Sequence, residues 1–351
     1  MLDFWYVIEG VVMSRHFFLT GATGVVGLSI LEQLEEDDQV SILTNRQKFS
    51  VLPKGVARQL KGNISKPDFA LSADDLATLS QTDILVHSAA LTDFTADPEV
   101  LAEVNIAGLK HAKALANKLN ARLVYISTAF VKGRNGHAFN NYEHSKKLAE
   151  YSLDEDITII RPSVIIGDSI KGIMPKKQGM HNMLKLATKE VIPVVPGDAS
   201  TLVDVIPRDT VASGILAVID NNLSGEFWLT AGDRASTLGQ MLTIGTNPDY
   251  FERYQVKFKP PKLINPTTFE RLIKPVFLPA LPRRYKRMFE ETSIYLKYLD
   301  MSEGFSSDLN VLGTYKNGPQ PFDIPEVMVK NIAAFDEVHP LTETLINESS
   351  L

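Results

Sequence analysis

The segment Thr20-Gly21-Ala22-Thr23-Gly24-Val25-Val26-Gly27 decides the fold that this sequence predicts. It lies between a short apolar run, residues 16–19, and a helical pattern at residues 28–34. Glycines spaced G-x-x-G-x-x-G permit a tight turn and let backbone N–H groups approach a pyrophosphate, to which the helix N-terminus adds partial positive charge. An ordinary strand–helix turn is the alternative. We predict a nucleotide-binding turn whose cofactor contacts are Thr20, Gly21, Thr23, Gly24, Val25, Val26 and Gly27.

Beyond this turn, apolar runs at 40–43, 57–61, 84–86, 123–126 and 157–160 alternate with helical patterns, such as 98–118 and the stretch after Asn141. This alternation predicts an α/β fold with a Rossmann-like, doubly wound parallel sheet. After Pro162 prolines and glycines interrupt the pattern, Phe227-Trp228-Leu229 is strand-like, and the remainder is typical of helices. We therefore predict a smaller, mostly helical C-terminal substrate lobe. The expected domains are an extension at 1–13, a nucleotide-binding domain at 14–240 with lobe insertions after 165, and a lobe at 241–351.

Composition excludes several classes of site. The 351 residues carry a net charge of −6, which argues against nucleic acid as a partner. Cysteine is absent, so disulfides, cysteine-ligated metals and a cysteine nucleophile are excluded. No apolar run reaches the roughly 18 residues of a membrane-spanning helix, and the N-terminal stretch lacks the features of a secretory signal. We expect a cytoplasmic protein in which the first residues are a non-essential extension, with a membrane-touching anchor as the alternative.

The end of the second predicted strand indicates which nucleotide binds. Thr44-Asn45-Arg46 has no carboxylate to hold the ribose 2′-OH of NAD, whereas a guanidinium suits a 2′-phosphate. We predict NADPH, with Asn45 and Arg46 near that phosphate; the alternative is that Arg46 is a solvated loop charge. Asn63 and Ile64 follow the third predicted strand and are candidates for the adenine edge.

Tyr142-Glu143-His144-Ser145-Lys146 places a phenol and an amine at i and i+4, on one face of a helix. A phenol titrates near pH 10, and a nearby ammonium would lower that pKa and make Tyr142 a usable proton donor to a carbonyl. Lys146 is also a candidate for the nicotinamide ribose hydroxyls. A Tyr-x-x-x-Lys pair alone is common on helix surfaces. Its position after the fifth predicted strand, downstream of the glycine-rich turn, favours a catalytic role.

Two hydroxyls end the fifth predicted strand, Ser127 and Thr128. Ligands lie at the carboxyl ends of strands in such sheets, so one hydroxyl could stabilise a developing oxyanion. We assign Thr128, with Ser127 or simple capping as alternatives. Asn105 is predicted to orient Lys146 or to be an ordinary helix residue. His87 and His144 are expected to be structural, and no spacing suggests a metal.

These residues resemble the short-chain dehydrogenase/reductase superfamily in its extended branch, and within it the fatty acyl-CoA reductase, male-sterility and thioester-reductase group. The resemblance covers roughly residues 15–240. The matching pieces include Ser127-Thr128-Ala129-Phe130-Val131, Gly167-Asp168-Ser169, Val195-Pro196-Gly197-Asp198, Asp204-Val205-Ile206-Pro207-Arg208-Asp209 and Trp228-Leu229-Thr230-Ala231-Gly232. Of these, Gly167-Asp168-Ser169 and the piece that begins at Asp204 favour the acyl-reducing group. It implies cofactor contacts from Ser88, Ala89 and Ala90 after His87, and from Pro162, Ser163 and Val164 beside the nicotinamide. Asn63 departs from the family, which commonly has an acid there.

The resemblance also implies a reaction. Hydride from NADPH would add to the carbonyl of an acyl-CoA or acyl-carrier-protein thioester, with Thr128, Tyr142 and Lys146 as the triad, and expel a thiol to leave an aldehyde or, after a second hydride, an alcohol. A free-standing reductase is expected. Alternatives are another extended reductase or dehydrogenase acting on ketones, aldehydes or hydroxysteroids, a sugar-nucleotide epimerase or dehydratase, and a non-catalytic NADPH-sensing protein.

Two features of the C-terminal part bear on the substrate. The 251–289 region mixes aromatic and basic residues and ends in Arg283-Arg284-Tyr285-Lys286-Arg287. This cluster is interpreted as a site for coenzyme A phosphates or an acidic carrier, as a patch for peripheral membrane contact, or as a solvated helix face. Met174, Met180, Met183 and Leu184 are candidates for an acyl tunnel or for ordinary core. The sequence leaves the oligomeric state open.

Overall fold

The computed structural model describes residues 15–132, 140–153, 157–177, 179–191, 193–299, 301 and 303–347. The predicted N-terminal extension, 1–13, lies outside these residues.

The strands, in chain order, are β1 (His16–Thr20), β2 (Gln39–Thr44), β3 (Gln47–Phe49), β4 (Val56–Lys61), β5 (Ile84–His87), β6 (Arg122–Ile126), β7 (Thr158–Pro162), β8 (Val164–Ile166), β9 (Val194–Pro196), β10 (Leu202–Val203), β11 (Val205–Pro207), β12 (Glu226–Leu229), β13 (Ser236–Thr237), β14 (Lys262–Ile264) and β15 (Leu345–Asn347).

The α-helices are α1 (Val25–Leu31), α2 (Ala73–Thr78), α3 (Pro98–Leu101), α4 (Gly108–Leu119), α5 (Asn141–Tyr151), α6 (Gly179–Thr188), α7 (Arg208–Asp220), α8 (Leu238–Thr243), α9 (Pro248–Tyr254), α10 (Pro266–Thr268), α11 (Lys274–Ala280), α12 (Arg283–Thr292), α13 (Leu309–Leu312), α14 (Ile324–Ala333) and α15 (Pro340–Glu343). A π-helical turn, Ala102–Ala107, joins α3 to α4, and a 3₁₀ segment, Ser293–Leu299, follows α12.

Seven parallel strands form the central sheet in the order β12-β7-β6-β5-β1-β2-β4. The strands nearest the middle are buried almost throughout, since helices cover both faces and apolar runs without alternation suit that position. Strand order reverses between β1 and β5, which leaves a crevice outside their carboxyl ends. The predicted doubly wound parallel sheet is confirmed, and the crevice is where such sheets bind ligands.

Several element bounds differ from the predictions. The first helix begins at Val25 rather than near residue 28, because Gly24 already has the extended backbone of a cap. The strand-like piece near Trp228 is β12, which pairs in register with β7 and adds a seventh strand to the central sheet. The predicted helix 98–118 is interrupted by the π-helical turn at 102–107.

A second hydrophobic core lies outside the sheet. Its buried residues come from three separate stretches, represented by Met180, Phe258 and Met328. The sequence around β8 to β10 therefore packs with the helices that follow residue 240, in a mostly helical lobe. Strand β15 returns to the nucleotide-binding side and pairs antiparallel with β3. The chain thus crosses between the two parts more than once, and the domain bounds given above remain predictions.

Candidate active site

The glycine-rich turn lies at the carboxyl end of β1 and borders the crevice. Gly21 has φ +74°, and a Cβ there would lie 2.7 Å from the backbone of Ser88 and Ala89. A Cβ on Gly27 would lie 2.3 Å from the Gly21 carbonyl oxygen. Both positions require glycine because backbone meets backbone. Gly24 differs: among the described residues its Cβ would meet only the Gly21 oxygen, at 3.2 Å, so its other side is open. That open side suits a bound pyrophosphate.

The remaining residues of the turn divide by exposure. Thr23, Val25 and Val26 are partly exposed, toward the crevice end of α1. Thr20 is fully buried, and its hydroxyl pairs with His87 Nδ1 at 3.0 Å and accepts from the Ala89 N–H at 3.2 Å. Thr20 therefore fixes the loop after β5 against the turn.

His87 is structural, in line with the sequence interpretation. Its ring lies between Phe69 and Tyr125, with ring centres 6.1 Å away on either side. Burial, with the nearby Lys146 ammonium as a second cause, lowers the pKa of His87 to about 3, so the ring is neutral. The following residues, 88–90, are partly exposed and form the second wall of the crevice.

The tip of β2 is open to solvent. Arg46 is exposed and, among the described residues, has no ion-pair partner, while the Asn45 amide donates to the Gly62 carbonyl at 2.7 Å. Asn63 holds its own loop, because its side chain accepts from the Ser65 N–H at 2.9 Å. Ile64 packs near Gly108 at the start of α4. Arg46 is thus free to meet an anion, whereas Asn45 and Asn63 are engaged in shaping the loops.

Helix α5 carries the Tyr–Lys pair. Asn140 caps it, accepting from the Glu143 N–H at 2.9 Å, and so fixes where the helix begins. Lys146 is 2% exposed; its Nζ donates to the Ile126 carbonyl at 2.8 Å and lies 4.5 Å from the Tyr125 ring centre. The helix is thereby fastened to the end of β6. Tyr142 stacks on Phe94 with ring centres 5.5 Å apart.

The prediction that Lys146 lowers the pKa of Tyr142 is wrong. Burial, with the charge of Glu143 and the neighbouring Tyr295, raises the pKa of Tyr142 instead of lowering it. Burial also lowers the pKa of Lys146 to about 7, against an ordinary value of 10.5. Because desolvation disfavours both charged forms, Lys146 is only partly an ammonium near neutral pH and Tyr142 is a neutral phenol. The sequence could not show how dry this helix face is.

Thr128 and Ser127 follow β6 directly, and both are buried. Ser127 still belongs to the sheet, since its N–H donates to the Ile160 carbonyl at 2.7 Å. Thr128 lies beyond that last ladder bond. On the neighbouring strand, Pro162 and Ser163 are buried and Val164 is partly exposed. The predicted oxyanion and nicotinamide residues are therefore on adjacent strand ends, with Lys146 fastened two residues before Thr128.

Asn105 reaches α5 through Ser145, and its predicted role of orienting Lys146 through water or backbone stays a prediction. It is 2% exposed in the π-helical turn, and its amide pairs with the Leu91 backbone in both directions, at 2.8 and 3.1 Å. It also donates to the Ser145 hydroxyl at 2.9 Å, which in turn donates to the Tyr142 carbonyl. Asn105 therefore connects the loop after β5 to α5, the helix that carries Tyr142 and Lys146.

Sequence reasoning missed a link between α5 and the lobe. Tyr298, from the 3₁₀ segment, donates its hydroxyl hydrogen to Glu143, which is fully buried, and accepts from the Asn140 amide at 2.8 Å. Its ring meets Phe130 edge-on at 4.5 Å. No local signal marks this contact, because Tyr298 and Glu143 are 155 residues apart.

Comparison with known proteins gives a match to one family model over part of the chain. A family model described as male sterility protein, an NAD-binding domain, matches residues 47–215, almost half of the chain. The match begins after the glycine-rich turn and includes Thr128, Tyr142 and Lys146. Over these residues the chain is similar to that NAD-binding family.

The individual proteins to which this chain is similar are distant in sequence. A fatty acyl-CoA reductase of Drosophila melanogaster is 24% identical over 277 residues, 58% of this chain and 54% of its own length. The chain thus spans about half the length of that curated relative. The terminal R domain of the myxalamid PKS-NRPS pathway has a TM-score of 0.72 at 19% identity, covering 92% of this chain and 91% of that one. A UDP-N-acetylglucosamine 4-epimerase from Methanobrevibacter ruminantium M1 has a TM-score of 0.59 at 17% identity, covering 92% and 98%. These structures show a shared fold.

The lobe contains an apolar cavity of about 90 Å³. Three of the four residues proposed for an acyl tunnel line it: Met180, Met183 and Leu184, all on α6. Met174 is buried elsewhere and does not line it.

The opposite face of α6 borders a basic cleft. Lys177, Lys185 and Lys189 line it together with Arg284 of α12. Lys185 is paired with Asp336 at 3.3 Å, and its Nζ lies 4.3 Å from the Phe335 ring centre. Of the predicted basic cluster, Arg284 and Tyr285 belong to this cleft. Among the described residues, no helix is long and apolar enough to cross a membrane, and no group of three His, Asp or Glu side chains could hold a metal.

Proposed function

We propose that this protein reduces an acyl thioester with NADPH. The observation that carries the proposal is the combination of an open glycine turn, an exposed Arg46 at the tip of β2 and the Tyr142–Lys146 helix fastened to the end of β6. The names of the relatives, a fatty acyl-CoA reductase and the terminal R domain of a PKS-NRPS pathway, support acyl reduction for this chain too.

The residues present suit a dinucleotide. Gly24 leaves open the space that a pyrophosphate needs, and the partly exposed loop 88–90 faces it across the crevice. Arg46 would hold a 2′-phosphate through charge-assisted hydrogen bonds. Bound there, the nicotinamide cofactor would supply a hydride to the thioester carbonyl carbon.

Side chains of the protein would stabilise and protonate the carbonyl oxygen of the thioester. Thr128 would donate a hydrogen bond to the carbonyl oxygen as negative charge develops. Tyr142, which burial keeps as a neutral phenol, would then give its proton to that oxygen. Lys146, with a pKa near 7, can return a proton to Tyr142 at neutral pH. Collapse of the resulting tetrahedral hemithioacetal breaks the C–S bond and leaves an aldehyde and a free thiol.

The test is a stoichiometric assay. Purified protein with NADPH and a panel of acyl-CoAs should release one free thiol for each NADPH consumed in the first reduction. Consumption with ketones or aldehydes and no thiol release would instead indicate another extended reductase. Tight NADPH binding without turnover on any panel would indicate a sensor, and epimerisation of a sugar nucleotide without net NADPH consumption would indicate an epimerase.

A matched pair of variants tests the proton donor. Tyr142→Phe should abolish turnover while leaving NADPH affinity nearly unchanged, because only the hydroxyl is removed. Tyr151→Phe makes the same change on the same helix at a position that is 75% exposed, and it should retain activity. Retained turnover in Tyr142→Phe would remove Tyr142 from the mechanism.

A further inference from the structure

Charge is distributed unevenly along this chain. The whole sequence has a net charge of −6, yet residues 262–289 contain one acid, Glu270, among seven basic residues. These are Lys262, Arg271, Lys274, Arg283, Arg284, Lys286 and Arg287. Arg283 and Arg284 are exposed at the start of α12, and Arg284 also lines the basic cleft beside α6. A strongly basic surface on an acidic protein indicates a negatively charged partner.

Large apolar side chains are exposed on the helical segment that precedes α12. Leu272 lies in a π-helical turn, Phe269–Ile273, which runs directly into α11, and it is 65% exposed. Val276 follows four residues later on α11 and is 75% exposed. Residues four apart are neighbours on one face of a helix, so these two side chains form one apolar ridge. Pro275 and Pro279 are exposed beside it.

The opposite side of the same segment is anchored in the lobe. Phe269 is fully buried, and its ring centre lies 6.3 Å from that of Phe289 on α12. Phe277 meets the same Phe289 ring edge-on at 6.2 Å. Other side chains therefore supply the packing that holds this segment in place. The apolar ridge is additional to that packing, which leaves it available to a partner.

The charge around the apolar ridge discriminates among partners. A second copy of the chain that docked through the same face would place its basic residues against their own equivalents, which is unfavourable. A purely hydrophilic acidic partner would satisfy the charges and leave the ridge in water. An anionic bilayer offers phosphate groups to the basic residues and, beneath them, an apolar interior that accepts leucine and valine.

We propose that the segment from Leu272 to Arg287 binds the surface of an anionic phospholipid membrane. The apolar ridge inserts below the headgroups, and the basic residues of α12 lie against the lipid phosphates. The contact is peripheral and reversible, because two side chains bury little apolar surface. It does not depend on the proposed reaction, so either can fail without the other.

A single introduced thiol can report on this contact, because the sequence contains no cysteine. The full chain with Val276→Cys is labelled with an environment-sensitive nitrobenzoxadiazole dye and mixed with vesicles of phosphatidylcholine, with or without phosphatidylglycerol. We expect the dye emission to shift to the blue with the anionic vesicles and to be quenched by lipids that carry a nitroxide on the acyl chain. Val311→Cys makes the same change at a position of α13 that is 60% exposed, beside the core of the central sheet, and its dye should not respond.

Substitutions separate the apolar and the electrostatic parts of binding, measured by sedimentation with anionic vesicles. Leu272→Ser combined with Val276→Ser should weaken partitioning about tenfold or more, because neither hydroxymethyl group gains by leaving water. Arg283→Gln should weaken it about fivefold and reduce its salt dependence, since each basic residue near an anionic surface contributes about that factor. Arg58→Gln, the same change at an exposed position of β4, should have no effect.

The outcomes are distinct. A blue shift that is confined to anionic vesicles and quenched from the acyl chains supports the membrane contact. An unchanged emission from position 276 with anionic vesicles overturns it, even if the vesicles bind the protein through charge alone. An emission that changes with protein concentration in the absence of lipid also overturns it and assigns the ridge to a second copy of the chain. None of these readouts involves NADPH, so a failed acyl-CoA assay leaves the result unaffected.

Discussion

Replacing Lys146 with methionine should stabilise the protein at neutral and acidic pH, even though it removes a residue proposed for catalysis. Lys146 is 2% exposed, and burial lowers its pKa from 10.5 to about 7. Each pKa unit corresponds to about 1.4 kcal/mol, so holding the charged form in the folded protein costs about 5 kcal/mol. Methionine has a similar length, carries no charge and loses one hydrogen bond to Ile126, worth about 1 kcal/mol. The expected net gain is about 3–4 kcal/mol.

The gain should depend on pH in a specific way. Below pH 7 the amine is protonated in both states, so the folded wild type bears the full desolvation cost. Between pH 7 and 10.5 the folded state is neutral while the unfolded state keeps its proton, and the free energy of unfolding of the wild type rises by about 1.4 kcal/mol per pH unit. Above pH 10.5 the amine is neutral in both states and the stability advantage of Lys146→Met disappears.

Urea unfolding at pH 6, 8 and 10 measures this difference. Lys147→Met, the same change at the next, partly exposed position of the helix, serves as the control and should not show the gain. A Lys146→Met protein that is less stable than the wild type at pH 6, or whose advantage does not change between pH 6 and 10, would refute the idea that a dry site depresses this pKa.

Three further predictions test other parts of the site. Arg46→Asp should weaken NADPH binding about tenfold or more and shift preference toward NADH, measured as the ratio of kcat/KM values, because a carboxylate repels the 2′-phosphate; an unchanged ratio would remove Arg46 from the site. Tyr298→Phe should lower the free energy of unfolding by about 1–3 kcal/mol, since it removes a donor from the buried Glu143, and thermal denaturation at matched pH checks this. Gly27→Ala should reduce both stability and nucleotide affinity, because its methyl group would fall 2.3 Å from the Gly21 oxygen and close to Ala22; wild-type NADPH affinity in this variant would contradict the packing argument.

The sequence was informative where a feature is local. The glycine turn, the apolar strands and the helical pattern after Asn141 each depend on neighbouring residues, so the sheet and the position of α5 could be predicted. The Tyr–Lys pair could be placed for the same reason. The pKa values of this pair could not be predicted from the sequence, because the pKa of Lys146 depends on how completely β6 and its neighbours exclude water from the amine.

Contacts between segments that are distant in the sequence could not be predicted. The methionine spacing on α6 suggested one wall of the cavity, but the facing wall comes from Met241, Phe258 and Met328, in three other segments. Tyr298 reaches Glu143 from 155 residues away. Such contacts produce no periodic pattern in the sequence, because each of these residues fits the hydrophobic pattern of its own segment and nothing there indicates its distant partner.

The pairing of β15 with β3 bears on how the protein is made. Gln47, one residue after Arg46, bonds Asn347 across 300 positions. Domains generally fold from the N-terminus as the ribosome delivers the chain, so most of the central sheet can form early. The edge next to Arg46 cannot acquire its partner until residue 347 has emerged. The rim of the crevice beside Arg46 is therefore completed after the seven strands of the central sheet have been made, and a nascent chain halted between β12 and β15 should already be compact yet hold nucleotide poorly.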